Sequence, residues 1–418
     1  MTQVNYAALY SPKPLDGKAK KWGMVMLLIG LVLSGLALFL DPERAAFAST
    51  LIFMLVLSIG LGSMFFVALE YMTGAVWSVP FRRIAEVFSG LLYIAPIFAL
   101  PAILIGVLDI GHLHPDMFHW THVEEVASDP FLSQKEPYLN PTWFLIRSVL
   151  ILSLFAIFRA IIVGNSRKQD QTGDAKLSRR NVKFSAAFMF VFAIGITLIS
   201  IDYMMSLEPH WFSTMFGVYY FAGTFFCTMA AIAIAATTLH KQGALLHGVN
   251  SNHFYSIGAL MFAFTAFWGY IAFSQFMLIA YANIPEETFW FLPRMSIDSG
   301  WGLVSIGLIF VHFVIPFAML IQRPSKVNPD RLKYMGIWFI FAHLYDLYWL
   351  IYPTYSRIMT TNPVEEHIYI GPFFSWHELG FLLLGIGTII VAFYAFGDKK
   401  NMVAIRDPKL QRGMDFHL

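Results

Sequence analysis

The sequence predicts an all-α polytopic membrane protein, and three observations support this prediction. Hydrophobic residues make up 57% of the 418 residues and charged residues only 13%, whereas an ordinary soluble domain has about 25% charged residues. The mean hydropathy is +0.62. Long apolar stretches recur along the whole chain, without the strict alternation that a membrane β-barrel needs.

Ten apolar stretches are close to or longer than the about 20 residues that a helix needs to cross the hydrocarbon core. They cover 22–40, 47–74, 84–108, 141–163, 183–206, 212–239, 253–281, 299–322, 331–354 and 373–397. The longest are expected to tilt or to project past the bilayer. The first stretch is long and has no small-residue cleavage site after it, which favours a helix over a cleaved signal peptide.

The distribution of basic residues predicts the orientation of these helices. With the N-terminus placed in the cytoplasm, most of the 28 Lys and Arg residues fall in inside segments. The outside segments hold only Arg44, Lys135, Arg294 and Arg357. Because cytoplasmic loops carry the excess of positive charge in membrane proteins, this bias predicts ten helices with both termini in the cytoplasm.

A repeated motif, W-F-L-x-R, divides the predicted helices into two units. It occurs at Trp143–Arg147 and at Trp290–Arg294, each time at the outer end of an inward-running helix. We therefore expect helices 2–5 and 6–9 to form two parallel four-helix bundles, with helices 1 and 10 peripheral. The predicted segments are 1–46 for the cytoplasmic N-terminus and helix 1, 47–207 for the first bundle with its outer loop 109–140, 208–355 for the second bundle, and 356–418 for helix 10 and the cytoplasmic tail.

Three titratable residues lie near the middle of the predicted helices 8 and 9. His312 is halfway along helix 8, and His343 and Asp346 share one face of helix 9 because they are three residues apart. Such groups usually face a bundle interior or a water-filled path, and His and carboxylates exchange protons through water. They are candidates for a proton path, and the alternative is a hydrogen-bonded network that only fixes helix packing. Polar residues of helix 7 would extend the chain: Tyr270, Ser274 and Gln275.

A second polar group is predicted near the outer face: Arg147, Asp202, Glu208, His210 and Trp211. Arg147 and Asp202 are expected to form a buried ion pair, which is the interpretation we favour. The alternative is an outer pocket that hydrogen-bonds the oxygens of a ring-shaped substrate. Trp211, Tyr219 and Tyr220 would then supply its apolar walls.

The predicted outer loop 109–140 is acidic and rich in His, including His112, His114, His119 and His122. We favour a structured loop that packs on a partner over a metal site, because no tight ligand spacing such as HExxH occurs. The single cysteine, Cys227, excludes a disulfide framework, a Cys-ligated iron–sulfur cluster and a CxxCH haem site within this chain. The net charge of +2 and the lack of a basic block argue against nucleic acid as a partner.

The turn between the predicted helices 5 and 6 carries the most specific pattern, P-x-W-x-x-T-x-F-x-x-Y-x-x-A-G. Its residues are Pro209, Trp211, Thr214, Phe216, Tyr219, Ala222 and Gly223. With ten helices, an inside N-terminus and a duplicated four-helix unit, the chain resembles the membrane subunits of the polysulfide-reductase (NrfD-like) family. The resemblance covers nearly the whole chain and is greatest to a quinol-oxidoreductase membrane subunit of bacterial alternative complex III.

The resemblance implies a quinol-oxidising respiratory complex in the bacterial cytoplasmic (inner) membrane, with menaquinone or another quinol as substrate. Family members pass electrons to haem-bearing and iron–sulfur subunits on the outer side, beside a paralogous membrane subunit and lipids. This chain would then hold no covalently bound cofactor, would not be catalytic alone, and would support quinol oxidation and proton translocation. In the paralogous subunit that is assigned the quinol site, a His follows the matching Trp. Phe212 stands at that position here, which favours a structural and proton-conducting role.

Two other classes of function stay open, a secondary transporter and a purely structural membrane anchor. A transporter shares parallel repeats and mid-membrane charges, but it usually has helices broken by Gly or Pro in both halves. Pro316 is the main candidate for such a break, and no matching pair occurs in the other half. Co-purification of haem and iron–sulfur subunits would favour the respiratory complex over both alternatives.

Overall fold

The computed structural model describes residues 15–110, 116–246, 248–358, 371–372, 374–397 and 401–418. Within these residues the chain is mostly helical and forms no strand. Ten long helices, α1 to α10, follow one another: Gly17–Leu40, Pro42–Thr73, Val79–Val107, Pro141–Thr172, Ala175–Tyr203, Phe216–Lys241, Ser251–Ala282, Trp301–Leu320, Pro329–Ile358 and Trp376–Gly397. The predicted all-α class is confirmed.

In the described part of the chain, nine of these helices are long and apolar enough to cross a membrane. The exception is α9, a helix of 30 residues that is long enough but less apolar. It carries His343 and Asp346 in its middle, and both are buried against other helices rather than exposed to lipid. The fold is therefore that of a polytopic helical membrane protein.

The helices begin and end at capped turns rather than at the edges of the apolar stretches. α4 continues to Thr172, beyond its predicted end at 163, and α5 begins at Ala175, ahead of its predicted start at 183. Gly173, with a φ of 70°, ends α4 in the left-handed region that favours glycine. The Asp174 side chain accepts a hydrogen bond from the Lys176 backbone N–H and caps α5. The polar link predicted between these helices is thus mostly helical.

Two of the helices are irregular inside the span. α3 passes through a 3₁₀ turn at Ser89–Tyr93 and a π turn at Ala102–Val107. α8 contains a π turn at Ile309–Val314, and Pro316 follows it. A proline cannot donate the backbone hydrogen bond of a regular helix, and π turns occur often at functional sites. The π turn of α8 carries His312.

The centre of the molecule is formed by α2 and α6, which are buried along most of their lengths. α2 packs against α3, α5, α6, α9 and α10, and α6 packs against α5, α7 and α9. α1 and α10 pack along each other on the outside of this core. Polar side chains of α2 and α6 therefore meet those of α9 away from lipid.

Candidate functional site

Three titratable side chains from α8 and α9 meet in the interior and form what we call the central cluster: His312, His343 and Asp346. Their ligand atoms all lie within 4.8 Å of one another. Each residue is at most 1% exposed. The prediction that these residues face a common interior is confirmed.

Asp346 is held by two donors from neighbouring helices. The Tyr219 hydroxyl of α6 donates to Oδ1 at 2.5 Å, and Trp268 Nε1 of α7 donates to Oδ2 at 3.1 Å. Both donors are neutral groups. No fixed positive charge among the described residues therefore holds this carboxyl in its ionised form.

His343 connects the cluster to a chain of hydroxyl groups between α2 and α6. Its Nε2 lies 3.0 Å from Ser58 Oγ, which lies 3.1 Å from the Tyr220 hydroxyl and 3.2 Å from the Thr224 hydroxyl. Hydroxyl groups both donate and accept hydrogen bonds, so these groups form a continuous polar chain. Sequence reasoning missed Ser58 and Thr224, because an isolated Ser or Thr in an apolar helix gives no pattern to detect.

The two tyrosines that were predicted as apolar walls beside Trp211 both direct their hydroxyls to partners within the helix packing. The Tyr219 hydroxyl bonds to Asp346, and the Tyr220 hydroxyl donates to the Met54 carbonyl at 2.9 Å. The reason is the helix start: α6 begins at Phe216, later than predicted. Both tyrosines therefore lie in its first turns, where α2 and α9 are its neighbours.

The His312 ring is stacked between two aromatic rings and has no polar contact among the described residues. Its centroid lies 3.8 Å from that of Trp268 and 4.2 Å from that of Phe226. Neither of its nitrogens has a hydrogen-bond partner in this part of the chain, and the same holds for His343 Nδ1. A buried unpaired nitrogen costs about 1–3 kcal/mol. Packing alone therefore gives no reason for a histidine here.

The spacing of the cluster suits proton transfer through water. Two hydrogen bonds of about 2.8 Å that meet at one water join groups about 4.6 Å apart. The ligand atoms of the three side chains lie within 4.8 Å of one another, which is close to that separation. A Cβ on Gly223 would lie 2.8 Å from His343 Nδ1 and 3.6 Å from Asp346 Oδ2, so this glycine lets α6 approach both groups closely.

The three residues of α7 that were predicted to extend the proton path differ in their burial. Tyr270 is 65% exposed on the outside of α7, so its prediction is wrong. The helix period explains the exposure of Tyr270, because Trp268 and Gln275 occupy the inward face of α7. Ser274 is half-buried.

An aromatic cavity of about 590 Å³ lies beside the central cluster, between α6, α7, α8 and α9. Its walls include Phe216, Trp268, Phe276, Trp290 and Trp349. Tyr219 and Trp268 line it as well as bonding to Asp346, so the cavity reaches the edge of the cluster. The exposed Tyr270 also lines the cavity, so the cavity borders the exposed surface of α7.

Gln275 supplies the polar side chain in the aromatic cavity that has capacity for a further hydrogen bond. It is 6% exposed, and its Oε1 is buried without a hydrogen-bond partner among the described residues. Ser305, also in the lining, is already engaged, because its hydroxyl accepts from Trp349 Nε1 at 2.7 Å and donates to the Arg294 carbonyl. Gln275 is therefore the side chain able to bind a polar group inside the cavity.

Arg147 and Asp202 form the predicted ion pair, which is confirmed. Arg147 Nε donates to Asp202 Oδ2 at 2.9 Å, and Nη2 donates to Oδ1 at 2.9 Å. The Tyr138 hydroxyl adds a third hydrogen bond to Asp202 at 3.0 Å. Asp202 is fully buried and fully paired, so this bond joins α4 to α5 as a structural contact.

The other residues predicted for the outer pocket have separate partners. Glu208 accepts hydrogen bonds from Arg357 at 2.6 Å and from Thr354 at 3.0 Å. Trp211 stacks on Trp290 with the ring centroids 4.3 Å apart. Neither these residues nor Arg147, Asp202 and His210 line the aromatic cavity. The aromatic cavity is therefore built from other residues than the predicted pocket.

The described part of the outer loop, 116–140, is held by polar contacts within it and with neighbouring segments. His210 Nε2 lies 2.5 Å from Asp129 Oδ2, and this bond lowers the pKa of Asp129. His119 lies 3.4 Å from Glu125 and 2.6 Å from Arg357, and burial together with Arg357 lowers the pKa of His119. Asp116, His119 and Glu125 are close enough to hold a metal ion, but His119 is already paired, which fits the favoured structured loop. His112 and His114 lie outside the described residues.

A buried ionic network lies at the opposite end of the molecule from this loop. Arg82 Nη1 is 2.8 Å from Glu70 and Nη2 is 2.7 Å from Asp407 of the C-terminal segment. Arg83 pairs with Glu86, and with Asp170 at 2.6 Å. These charges are paired with one another, so the network joins α2, α3, α4 and the tail.

No protein-family model matches the chain, and no curated protein matches it in sequence. A fold alone does not define a function, because one fold supports many different sites. Among the described residues, the central cluster and the aromatic cavity bring titratable and polar groups together in the interior. The function of the chain is therefore inferred from their residues.

Proposed function

We propose that this protein is a proton-conducting membrane subunit of a respiratory quinol:electron-acceptor oxidoreductase. It would belong to the polysulfide-reductase (NrfD-like) family and correspond to a membrane subunit of bacterial alternative complex III. The observation that supports proton conduction is the central cluster, in which three titratable side chains are buried together between α8 and α9. The family rests on the sequence resemblance.

The proposed path runs through neutral groups that each accept and donate a proton. Asp346 exchanges a proton with the Tyr219 hydroxyl on one side and, through water, with the histidine nitrogens on the other. A neutral imidazole accepts a proton on one nitrogen and releases one from the other. His343 therefore takes a proton at Nδ1 and passes one from Nε2 to Ser58, 3.0 Å away. The Tyr220 and Thr224 hydroxyls continue the path.

Unpaired histidine nitrogens favour a proton path over a purely structural network. A network that only fixes helix packing gains its stability from completed hydrogen bonds. Here both nitrogens of His312 and Nδ1 of His343 are buried without such a bond to the described residues. Groups that bind a mobile proton need this free capacity.

Replacement of Asp346 by Asn tests the proton path while it keeps size and most hydrogen bonding. In the assembled complex in sealed vesicles, we expect Asp346→Asn to slow proton translocation at least about tenfold, with the same subunits present. Asp298→Asn, an exposed change of the same kind, should have no effect. Unchanged quinol oxidation and proton translocation in Asp346→Asn would show that the cluster only packs the helices.

The proposed topology has ten membrane crossings, with both termini in the cytoplasm of a bacterium. The two four-helix bundles would be 47–207, with the outer loop 109–140, and 208–355. Segments 1–46 and 356–418 would add the peripheral helices and the tail. The length of α9 supports a tenth crossing, because 30 residues extend about 45 Å. Contacts of α2 with α3 and α5, and of α6 with α7 and α9, support the two bundles.

The proposed partners are haem-bearing and iron–sulfur subunits, a paralogous membrane subunit and lipids. Purification in mild detergent followed by identification of bound subunits tests this. We expect haem and iron–sulfur proteins to co-purify, and removal of 112–136 to release outer subunits while the helices stay inserted. A stable monomer that transports a solute in liposomes would instead support the secondary transporter, and a complex without proton translocation would support a structural anchor.

Quinol binding by this chain itself is a second candidate function, supported by the aromatic cavity. Its walls suit the planar ring of a quinol, and Gln275 Oε1 would accept a hydrogen bond from a ring hydroxyl. Titration with a short-chain naphthoquinol, kept reduced, should quench the fluorescence of Trp268, Trp290 and Trp349. We expect Gln275→Leu to weaken binding about tenfold and Gln242→Leu, at the far end of α6, to leave it unchanged. Equal quenching of all three proteins would remove this candidate.

A further inference from the structure

Four basic side chains lie where α8 turns into α9: Arg323, Lys326, Arg331 and Lys333. None of them forms an ion pair with a carboxylate of the described residues. The turn contains one acidic residue, Asp330, and that carboxylate is already paired with Lys241 of α6. The positive charge of this turn is therefore not compensated by the described part of the chain.

Several buried or half-buried arginines elsewhere in the described residues are neutralised within the chain. Arg44, Arg82, Arg83, Arg147 and Arg357 each have a carboxylate partner. Two of the four cations at the turn have an alternative contact, since Arg323 and Lys326 lie 5.6 and 5.5 Å from the Tyr255 ring centroid. Arg331 has neither an ion pair nor a ring contact within the described residues. Its guanidinium is therefore free to bind an anion from outside the chain.

Arg331 lines a pocket of about 340 Å³, which we call the α8–α9 pocket. Its apolar part is formed by Ala318, Met319 and Met335. Its polar part is formed by Gln322, Ser325 and Arg331. The pocket thus has one cation and two hydrogen-bonding side chains beside an apolar floor. A phospholipid likewise has a charged headgroup beside its apolar acyl chains.

The position of the α8–α9 pocket along α8 agrees with the position of a lipid headgroup in a bilayer. α8 has 20 residues and is about 30 Å long, which equals the thickness of the hydrocarbon core. A helix of this length that spans the core would end, at Leu320, where headgroups begin. Tyr334 also lines the pocket and is 71% exposed, and tyrosine is enriched at this boundary.

We propose that the α8–α9 pocket binds one anionic phospholipid of the adjacent leaflet. The phosphate would bond to Arg331, with Ser325 and Gln322 as hydrogen-bond donors, and the start of an acyl chain would lie on Met319 and Met335. The uncompensated cations around the pocket and the positive end of α9 raise the local affinity for anions. This site does not depend on the proposed proton path.

Lipid binding to the purified full chain tests the site, with phosphatidylglycerol as the probe and phosphatidylcholine as the neutral comparison. Native mass spectrometry should show one phosphatidylglycerol that survives delipidation of the wild-type protein. Arg331→Gln should lower its affinity about fivefold, the effect of one basic residue at a membrane surface. Arg179→Gln removes an exposed cation outside the pocket and should change it little.

A second variant separates the pocket from general surface charge. Ala318→Trp keeps every charge and fills the apolar floor, so it should also displace the lipid. Equal affinity of wild type and Arg331→Gln, or equal losses in Arg331→Gln and Arg179→Gln, would overturn the proposal. Displacement by millimolar inorganic phosphate would also overturn it, because the site would then hold a free anion rather than a lipid. A requirement for the acyl chain, shown by failure of glycerol phosphate to compete, supports it.

Discussion

Gly223 lies where α6 passes the His343 ring, and no larger residue fits there without movement. A Cβ would lie 2.8 Å from both Cε1 and Nδ1 of His343, closer than van der Waals contact. We expect Gly223→Ala to displace the ring, to lower stability by about 1–3 kcal/mol, and to disturb the central cluster. Gly164→Ala, on a part of α4 with nothing within 4 Å, should be neutral or slightly stabilising.

Chemical unfolding of the two glycine variants checks this expectation. Gly223→Ala should unfold at a lower denaturant concentration than the wild type, and Gly164→Ala at the same or a higher one. Wild-type stability of Gly223→Ala would show that α6 and α9 adjust freely, and the close approach would then not position His343.

The Arg147–Asp202 pair should respond asymmetrically to removal of its two members. Arg147→Met strands a carboxylate that is fully buried, whereas Asp202→Leu strands a guanidinium that keeps 13% of its side chain exposed. We expect losses of about 3–5 kcal/mol for Arg147→Met and less for Asp202→Leu. The double variant should recover much of the loss, because no buried charge is left alone.

Unfolding of the single and double variants in detergent measures this coupling. Additive losses in the double variant would contradict a buried pair, because independent residues add. The same variants separate a structural role from a ligand site. Substitutions in a ligand site would weaken ligand binding without lowering the free energy of unfolding.

At the scale of single residues, the sequence predicted which titratable groups meet but not what holds them. The spacing of His343 and Asp346 is a property of one helix and can be calculated from the sequence. Their partners Ser58, Tyr219 and Trp268 belong to three other helices. Contacts between helices depend on rotation and crossing angle, which no local pattern specifies.

Among the elements, the C-terminal segment is attached through Asp407. Burial alone would raise the pKa of Asp407, but Arg82, 2.7 Å away, and Lys409, whose backbone N–H donates to Asp407, together outweigh burial and hold that pKa below its ordinary value. A lowered folded-state pKa stabilises the docked segment above the unfolded pKa of about 3.9, and the stability is lost as the pH falls further. Docking of the tail should thus be constant from about pH 5 to 8 and weaken below about pH 4.

Hydrogen exchange of the helix Leu410–Met414, corrected for intrinsic rates, measures this docking. Asp407→Asn should loosen the helix above about pH 4, to the protection that the wild type shows at pH 3, and remove the dependence on pH. Glu70 shares Arg82 with Asp407, so the change should stay local to the tail. Equal protection of the wild type at pH 3 and pH 7 would contradict the role of Asp407.

The ends of the elements were harder to predict than their existence. Apolar stretches predicted the helices because burial in lipid requires about 20 apolar residues. The caps at Gly173 and Asp174 lie in a polar segment, so a hydropathy pattern ends before the helix does. The π turn of α8 was also missed, because Pro316 signals a break without specifying its form.

For the whole molecule, the proposed topology makes a direct prediction about access from the two sides of the membrane. Cys227 is fully buried, so it should react little with a thiol reagent. Labelling of introduced cysteines can therefore be measured over a low background signal. Lys168 and Asp298 are exposed. The variants Lys168→Cys and Asp298→Cys should react with an impermeant thiol reagent from opposite sides of the membrane. Labelling of both from the same side would contradict the alternation of helices.

Proton conduction is the central claim, and His312→Phe tests it most directly. Phenylalanine keeps the ring between Trp268 and Phe226 and removes two nitrogens that have no hydrogen bond to the described residues. Loss of unpaired buried polar atoms should leave stability equal or higher. We therefore predict that the assembled complex with His312→Phe is as stable as the wild type, while its proton translocation per quinol oxidised falls at least about tenfold. Unchanged proton translocation in a stable His312→Phe complex would contradict the proton path.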